Sequence, residues 1–289
     1  MDINGDGIRD ILSGSYSRQE KDMAGLFQVL HGKTGGTFQK AKVLKGTDGE
    51  PLIIPADNKD RLTDKICTRP FAVDWNGDGH LDLVVGNFGG SFFWFKGEGK
   101  GRFLPKPEAI NSGGEPLRIR GAHSDPFMID WDGDGDLDLL SGSTDGGVQW
   151  SENNAGKGKL PEMTAFQPLI KTAKPTEYGQ ALREKDLTGP TTSTRIWVED
   201  LNGDGKLDLL VGDSVTLTSP AKGLSVEEFQ KKSVAWQKTV DKLGQEMASE
   251  KADQTTREKA SQEFSKVYRE RSKFLIEDQT GFVWVYLQK

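Results

Sequence analysis

Cysteine and long apolar runs are the two most informative absences in this sequence. Cys67 is the only cysteine, so an intramolecular disulfide is excluded, as are thiol metal sites of the usual spacing. Any bound metal must therefore be held by oxygen. No apolar run approaches the length of a membrane span. We therefore expect no membrane insertion.

Basic residues are fewer than acidic residues in this sequence. Lysine and arginine number 38 against 44 aspartates and glutamates, which gives a net charge of −6. This balance argues against nucleic acid and anionic lipid as partners, because both normally require a cationic face. The 289 residues suffice for one substantial core, and 35 glycines and 12 prolines indicate many turns. An all-β fold is favoured, either as one domain or as a domain with an insertion.

A nine-residue motif, D-x-[ND]-G-D-G-x-x-D, occurs four times, and we number the copies as loops one to four. They begin at Asp2, Asp74, Asp130 and Asp200. Apolar runs precede the last three copies and follow all four, so each copy is interpreted as strand, loop and strand. No such run precedes Asp2, and we interpret Met1 as a truncation point that leaves no room for a signal peptide. A glycine also lies twelve residues after each first aspartate: Gly14, Gly86, Gly142 and Gly212.

A third strand is predicted after loops two and three, where Trp94 and Trp150 each lie twenty residues beyond the first aspartate. The matching residue of copy four is Trp284, which lies 84 residues beyond Asp200. Copy four must therefore contain an insertion between its second and third strands. We predict propeller blades over residues 1–221 and 275–289, about four in number and part of a larger ring, interrupted by an insertion at 222–274.

The insertion has a helical composition, rich in Lys, Glu and Gln. Ser225 with Glu228 and Thr255 with Glu258 match the capping-box pattern, which predicts two helix starts. Apolar residues follow each start at spacings of three and four. The insertion is therefore predicted to be an antiparallel helical hairpin that pairs two apolar stripes.

The motif suits calcium, which binds six to eight hard oxygens in a flexible geometry. Side chains at positions one, three, five and nine and the backbone carbonyl at position seven are the predicted ligands, and glycine at position six permits the sharp turn. Position twelve lacks the glutamate of an EF-hand and a β run follows, so an EF-hand is excluded. The predicted ligands are Asp2, Asn4, Asp6, Ile8 and Asp10; Asp74, Asn76, Asp78, His80 and Asp82; Asp130, Asp132, Asp134, Asp136 and Asp138; Asp200, Asn202, Asp204, Lys206 and Asp208.

Together with the segment 83–90, Leu-Val-Val-Gly-Asn-Phe-Gly-Gly, these loops resemble the FG-GAP/VCBS repeats of integrin-α-like propellers. The resemblance covers residues 1–221 and 275–289. It implies an extracellular, cell-surface or periplasmic protein whose calcium ions hold loops in a structural role. The helical hairpin falls outside the family pattern.

The expected function is that of a non-enzymatic calcium-binding propeller that binds a protein or a glycan. Polysaccharide lyase activity stays open, because propellers of this kind occur in such enzymes. His123 lies beside Ser124 and Asp125, but a turn before Pro126 is the preferred interpretation over nucleophile activation. Packing between blades is preferred over sugar stacking for the tryptophans at repeated positions. The helical hairpin is either a docking arm for a partner or an insertion packed on the propeller.

Overall fold

The computed structural model describes residues 1–18, 23–55, 59–173, 179–249 and 252–289. The fold is mostly β, with several antiparallel sheets and two helices. The chain divides into two compact units. Unit one comprises Met1–Thr172, Gly189–Asp213 and Val283–Lys289, and unit two comprises Ala173–Thr188 and Ser214–Phe282.

The helices are α1 (Val226–Ala248) and α2 (Gln254–Glu270), and short 3-10 segments cover Lys59–Asp64, Glu184–Asp186 and Arg271–Lys273. The strands are β1 (Ile11–Ser13), β2 (Gln28–Leu30), β3 (Gly32–Lys33), β4 (Thr37–Phe38), β5 (Lys42–Val43), β6 (Arg69–Val73), β7 (Asp82–Gly86), β8 (Phe92–Phe95), β9 (Glu108–Ala109), β10 (Asn111–Ser112), β11 (Glu115–Pro116), β12 (Asp125–Ile129), β13 (Asp138–Gly142), β14 (Val148–Ser151), β15 (Gln167–Ile170), β16 (Thr192–Glu199), β17 (Asp208–Pro220), β18 (Leu275–Thr280) and β19 (Val283–Tyr286).

Four sheets of unit one follow the four copies of the motif. Their strand orders are β1-β2-β5, β6-β7-β8-β9 and β12-β13-β14-β15, and in the fourth β17 pairs with β16 and β19. Loop two joins β6 to β7, where Val73 pairs with Asp82, and loop three joins β12 to β13, where Ile129 pairs with Asp138. The predicted order of strand, loop and strand is confirmed for these two copies.

The third strand of copy four is confirmed as β19. Residues 209–212 of β17 pair with β19, and Val211 lies opposite Trp284. In the second sheet Val84 lies opposite Trp94, and in the third Leu140 lies opposite Trp150. The tryptophans therefore occupy the third strand of each of the three sheets.

Hydrophobic side chains of neighbouring sheets form shared clusters in unit one. Val84 of β7 and Met128 of β12 belong to one cluster, and Leu140 of β13 and Val198 of β16 belong to another. Trp75 is buried, and Trp94, Trp131, Trp150 and Trp284 pack against these clusters. Packing therefore accounts for five of the tryptophans at repeated positions. Trp197 differs, because it is 54% exposed.

A repeated contact joins successive sheets and explains three of the four glycines that lie twelve residues after a first aspartate, Gly14, Gly86 and Gly142. A Cβ added at Gly86 would lie 2.2 Å from the carbonyl oxygen of Ser124, and one at Gly142 would lie 2.2 Å from that of Thr194. Both distances are far below van der Waals contact, so only glycine permits this approach of β7 to β12 and of β13 to β16. The Ser124 hydroxyl accepts a bond of 2.8 Å from the N–H of Asn87, and the Thr194 hydroxyl accepts one of 2.9 Å from Ser143.

Unit two contains the helices and a pair of strands. Residues 215–220 of β17 pair with β18. The Trp236 indole N–H of α1 donates to the carbonyl of Val267 in α2 at 2.9 Å, and the two helices pack against each other. Unit two is larger than the predicted insertion at 222–274, whose limits stay a prediction.

One helix start is confirmed and one is wrong. Ser225 caps α1. Its hydroxyl accepts the backbone N–H of Glu228, and the Glu228 carboxylate accepts the backbone N–H of Ser225. The second helix is capped by Asp253, which accepts the N–H of Thr256 at 2.7 Å. Thr255 is not the cap, because the aspartate two residues earlier reaches the free N–H groups of the first turn. Within the described residues, neither helix has the length and apolar character needed to cross a membrane.

Candidate metal centre

The first aspartate of each loop holds the turn by accepting backbone N–H bonds. In loop three, Gly133 donates to Oδ1 of Asp130 at 2.8 Å and Gly135 donates to Oδ2 at 3.0 Å. In loop four, Gly203 and Gly205 donate to Asp200 at 2.7 and 2.9 Å. Asp2 and Asp74 accept the N–H of the sixth-position glycine in the same way. These bonds turn the carboxylate toward the inside of the loop.

Positions three and five follow the same pattern. In loop two, Asp78 donates its N–H to the Asn76 side-chain oxygen at 2.9 Å, and His80 donates to Oδ1 of Asp78 at 3.0 Å. Equivalent bonds link Asn4, Asp6 and Ile8, then Asp132, Asp134 and Asp136, and then Asn202, Asp204 and Lys206. The side chains predicted as ligands at positions one, three and five therefore share one hydrogen-bonding pattern in all four loops, and their role as ligands stays a prediction.

Loop three brings three carboxylates together. One oxygen from each of Asp130, Asp132 and Asp134 lies within 4.8 Å of the other two, so the group could hold a metal ion. Loops one, two and four carry asparagine at position three, so positions one, three and five of these loops bear one carboxylate fewer. All these donors are hard oxygens, which suit calcium or magnesium rather than soft metals.

Asp136, at position seven of loop three, differs from its counterparts because its side chain is buried, with 7% exposed. Its Oδ2 accepts the Gly156 N–H at 2.6 Å, while Oδ1 has no hydrogen-bond partner among the described residues. Burial raises the pKa of Asp136, and the charges of Asp134, Asp132 and Asp130 raise it further. Loop three therefore has an uncompensated excess of negative charge that a cation would relieve.

The ninth-position aspartates are the most buried acids of the loops. Asp82 and Asp208 are fully buried, and Asp10 and Asp138 are 6% and 1% exposed. Each accepts backbone N–H bonds from two places. One donor is the residue at position two of the same loop, and the other is a residue in or just after a strand that is distant in sequence. The first comes from Ile3, Trp75, Trp131 and Leu201, and the second from Gly32, Gly97, Asn153 and Gln288.

These bonds make the ninth aspartate a clasp between the loop and the remainder of its sheet. A carboxylate offers about four lone-pair sites, so an oxygen that accepts an N–H retains a site for a cation. A hydrogen bond to a charged group contributes about 1.5–3 kcal/mol. The ligand role predicted for Asp10, Asp82, Asp138 and Asp208 is compatible with the clasp and stays a prediction.

The clasp aspartates differ in how readily they carry charge. Burial raises the pKa of Asp138 to about 6, although the N–H groups of Asn153 and Trp131 act in the opposite direction. Burial also raises the pKa of Asp82. At Asp10 burial acts upward, but the N–H bonds and His31 outweigh it and lower the pKa. Without a cation, the ninth aspartates of loops two and three therefore carry charge less readily than a free carboxyl group does.

Two basic side chains contact the loops and were not predicted from the sequence. The His31 Nδ1 lies 3.3 Å from Oδ1 of Asp10, and the Lys96 ammonium lies 3.3 Å from Oδ2 of Asp78. Both residues are distant from their loops in sequence and belong to no motif. Lys96 partly neutralises loop two, whereas the acids of loop three have no comparable basic contact among the described side chains.

The remaining predictions concern position seven. His80 is exposed, as expected for a residue that presents its carbonyl to the loop and its side chain to solvent. The carbonyls of Ile8, His80, Asp136 and Lys206 stay predicted ligands.

His123 packs its ring on Phe88, with centroids 4.4 Å apart, and its pKa is lowered by burial and by two arginines. Nucleophile activation at His123 stays untested.

Repeated antiparallel sheets with acidic loops define the chain as a mostly β repeat protein. A family model described as FG-GAP-like repeat matches residues 74–128 and 130–211. These segments contain loops two, three and four, and the match begins after β6, the strand that precedes loop two. Over these residues the chain therefore carries FG-GAP-like repeats. No curated protein matches it in sequence.

Proposed function

We propose that the protein is a non-enzymatic module whose loops bind calcium in a structural role. The observation that carries this proposal is the approach of Asp130, Asp132 and Asp134 to within 4.8 Å of one another. Three carboxylates at this separation repel one another, and a divalent cation converts the repulsion into attraction. Calcium accepts the irregular set of carboxylate, amide and carbonyl oxygens that each loop provides, whereas magnesium demands a near-octahedral set.

The repeated sheets support a β-propeller arrangement. Blades of a propeller are antiparallel sheets of about four strands that pack side by side. Here β12 lies against both β6 and β16, and these are the first strands of three successive sheets. The loops then lie at one end of each blade, and calcium fixes the connection between its first two strands.

An extracellular, cell-surface or periplasmic location and a protein or glycan ligand complete the proposal. FG-GAP repeats are typical of extracellular proteins, which supports the location, and they are typically non-catalytic, which supports a binding role. Calcium in such surroundings reaches the range of about 10⁻⁴–10⁻³ M in which extracellular modules bind it. The exposed Trp197 offers an aromatic face to a ligand, as glycan recognition requires.

Lyase-type action on a polysaccharide is the second candidate. One feature favours it, an open polar cavity of about 430 Å³ in unit one that Tyr16 and Arg69 line. Incubation with acidic polysaccharides, followed by the ultraviolet absorbance of an unsaturated product, tests this candidate. Product formation that is lost in Tyr16→Phe would favour the enzyme over the binding module.

Calorimetric melting tests the calcium sites. We expect calcium to raise the melting temperature above that in chelator, and magnesium to raise it less. With free calcium at ten times Kd, each site contributes about 1.4 kcal/mol. Asp132→Asn with Asp134→Asn should remove the contribution of loop three, whereas Asp145→Asn, outside the loops, should not. Equal melting temperatures in calcium and in chelator would contradict the proposal.

A binding screen against glycans and proteins, run in calcium and in chelator, tests the second part. We expect a ligand whose binding is lost in chelator, because the loops that present it lose their order. A Trp197→Ala variant then shows whether the exposed indole contributes. Calcium-dependent melting without any ligand would restrict the role of the ions to stability.

A further inference from the structure

Charged residues occupy equivalent positions at the first strands of three successive sheets. Arg69 begins β6, Asp125 begins β12, and Arg195 lies within β16. Each precedes the first aspartate of its loop by five residues. Because β12 lies against β6 and β16, the aspartate falls between the two arginines.

The three side chains form a charge cluster that is largely withdrawn from water. Oδ1 of Asp125 lies 3.9 Å from Nε of Arg69, and Oδ2 lies 3.5 Å from Nε of Arg195. The side chains of Arg69 and Asp125 are 18% and 23% exposed, and that of Arg195 is 40% exposed. Two guanidinium groups face one carboxylate, so one positive charge is left uncompensated in a partly desolvated site.

The arginine donors are used unequally. Arg69 donates through its Nη atoms to the carbonyl of Ser124 at 3.3 Å and to the Cys67 sulfur at 3.5 Å. Arg195 donates from Nη1 to the carbonyl of Thr194 at 2.7 Å. Within the described part of the chain, Nη2 of Arg195 has no hydrogen-bond partner, and this side chain is the most exposed of the three.

His123 borders the same cluster. Its pKa is lowered by burial and by the charges of Arg69 and Arg195. The backbone of His123 is left-handed, with φ of 60°, and the residues at the equivalent places before β6 and in β16, Cys67 and Ser193, have φ of 55° and 52°. The three segments therefore share a left-handed residue two positions before the charged one.

We propose that Arg195 and Arg69, with Asp125 between them, bind a carboxylate group of a ligand beside the first strands of the three sheets. One monoanion neutralises the uncompensated charge, and the guanidinium edge matches a carboxylate. A dianion would exceed that charge and be repelled by Asp125. The site is separate from the calcium loops and does not depend on them for its charge.

Titration of the full chain with acetate in calcium buffer tests the proposal, followed by the backbone and arginine side-chain NMR signals at constant ionic strength. We expect saturable shifts at Arg69 and Arg195. Arg195→Gln should weaken acetate binding on the order of 10-fold or more, since it removes a charged hydrogen bond. The matched control is Arg120→Gln, whose side chain is 90% exposed and lies at an Asp145 carboxylate, and it should bind acetate as before.

Asp125→Asn gives an opposite expectation. Removal of the competing carboxylate leaves two positive charges, so acetate should bind on the order of 10-fold more tightly. If the arginines serve only to hold Asp125, this variant loses stability and gains no affinity for acetate. Calcium-dependent melting establishes that each variant folds. Non-saturable shifts, equal binding in Arg195→Gln and the parent, or tighter binding of sulfate than of acetate by the parent would each overturn the proposal.

Discussion

Asp138 and Asn153 are joined by a hydrogen bond of 2.9 Å, from the backbone N–H of Asn153 to Oδ1 of the aspartate. The other oxygen of the same carboxylate accepts the N–H of Trp131 at 3.0 Å. Loop three and the end of the third strand are thus connected through a single buried side chain. Asp10, Asp82 and Asp208 make the corresponding connection in the other copies.

Asp138→Ala should therefore destabilise the protein in the absence of calcium. It leaves two buried N–H groups unpaired, and each unpaired group costs about 1–3 kcal/mol. Asp138→Asn retains a carbonyl acceptor and should be affected less. Chemical denaturation in chelator measures both changes, with Asp145→Ala as a control outside the loops. If Asp138→Ala matched that control, the clasp would have no energetic role.

Gly142→Ala and Gly212→Ala form a matched pair that tests the packing of successive sheets. A Cβ at Gly142 would lie 2.2 Å from the Thr194 carbonyl, whereas at Gly212 the nearest atom, the Arg195 carbonyl, lies 3.9 Å away. We expect Gly142→Ala to destabilise the protein by at least about 2 kcal/mol, through displaced backbone, and Gly212→Ala to change it little. Thermal melting compares the two. Equal effects would contradict the contact between β13 and β16.

The protein should be less stable in mild acid than at neutral pH, because the pKa of His123 is lowered in the folded state. Its pKa lies below the ordinary 6.5 because of burial, Arg69 and Arg195. The unfolded chain then binds the proton more readily, so stability is complete above about pH 6.5 and falls as the pH decreases toward the folded pKa.

His123→Asn removes this titration and keeps a residue that tolerates a left-handed φ of 60°. Denaturation of the parent and of His123→Asn between pH 5 and 8, values set about the ordinary histidine pKa, measures the difference. We expect the free energies of the two proteins to diverge in the acid half of this window. A constant difference would show that the histidine does not contribute.

Ser225→Ala should loosen the start of α1. The hydroxyl of Ser225 accepts the Glu228 N–H at 3.2 Å, and loss of such a cap costs about 1 kcal/mol. Hydrogen exchange at the Glu228 amide should accelerate on the order of fivefold, which corresponds to that energy. The control is Ser261→Ala on the exposed face of α2, where alanine favours the helix. Unchanged exchange in Ser225→Ala would contradict the cap.

Much of the local structure follows from the sequence, because the residues that decide it are close together. The acidic loops, the apolar runs beside them and the Ser225 cap all involve contacts within about one turn or hairpin. The composition of the insertion was enough to predict α1 and α2. The cap of α2 was placed wrongly at Thr255, because two neighbouring residue types, Asp253 and Thr255, both suit an N-cap.

Contacts between distant residues were decided only by the tertiary structure. The sequence shows a glycine twelve residues after each first aspartate, but not that Gly86 touches Ser124 or that Gly212 has room for a Cβ. It shows an aspartate at position nine, but not that Asp208 accepts an N–H from a residue eighty positions later. Nor does it bring Asp125 between Arg69 and Arg195. Such pairings depend on how strands and sheets pack, and no local spacing encodes them.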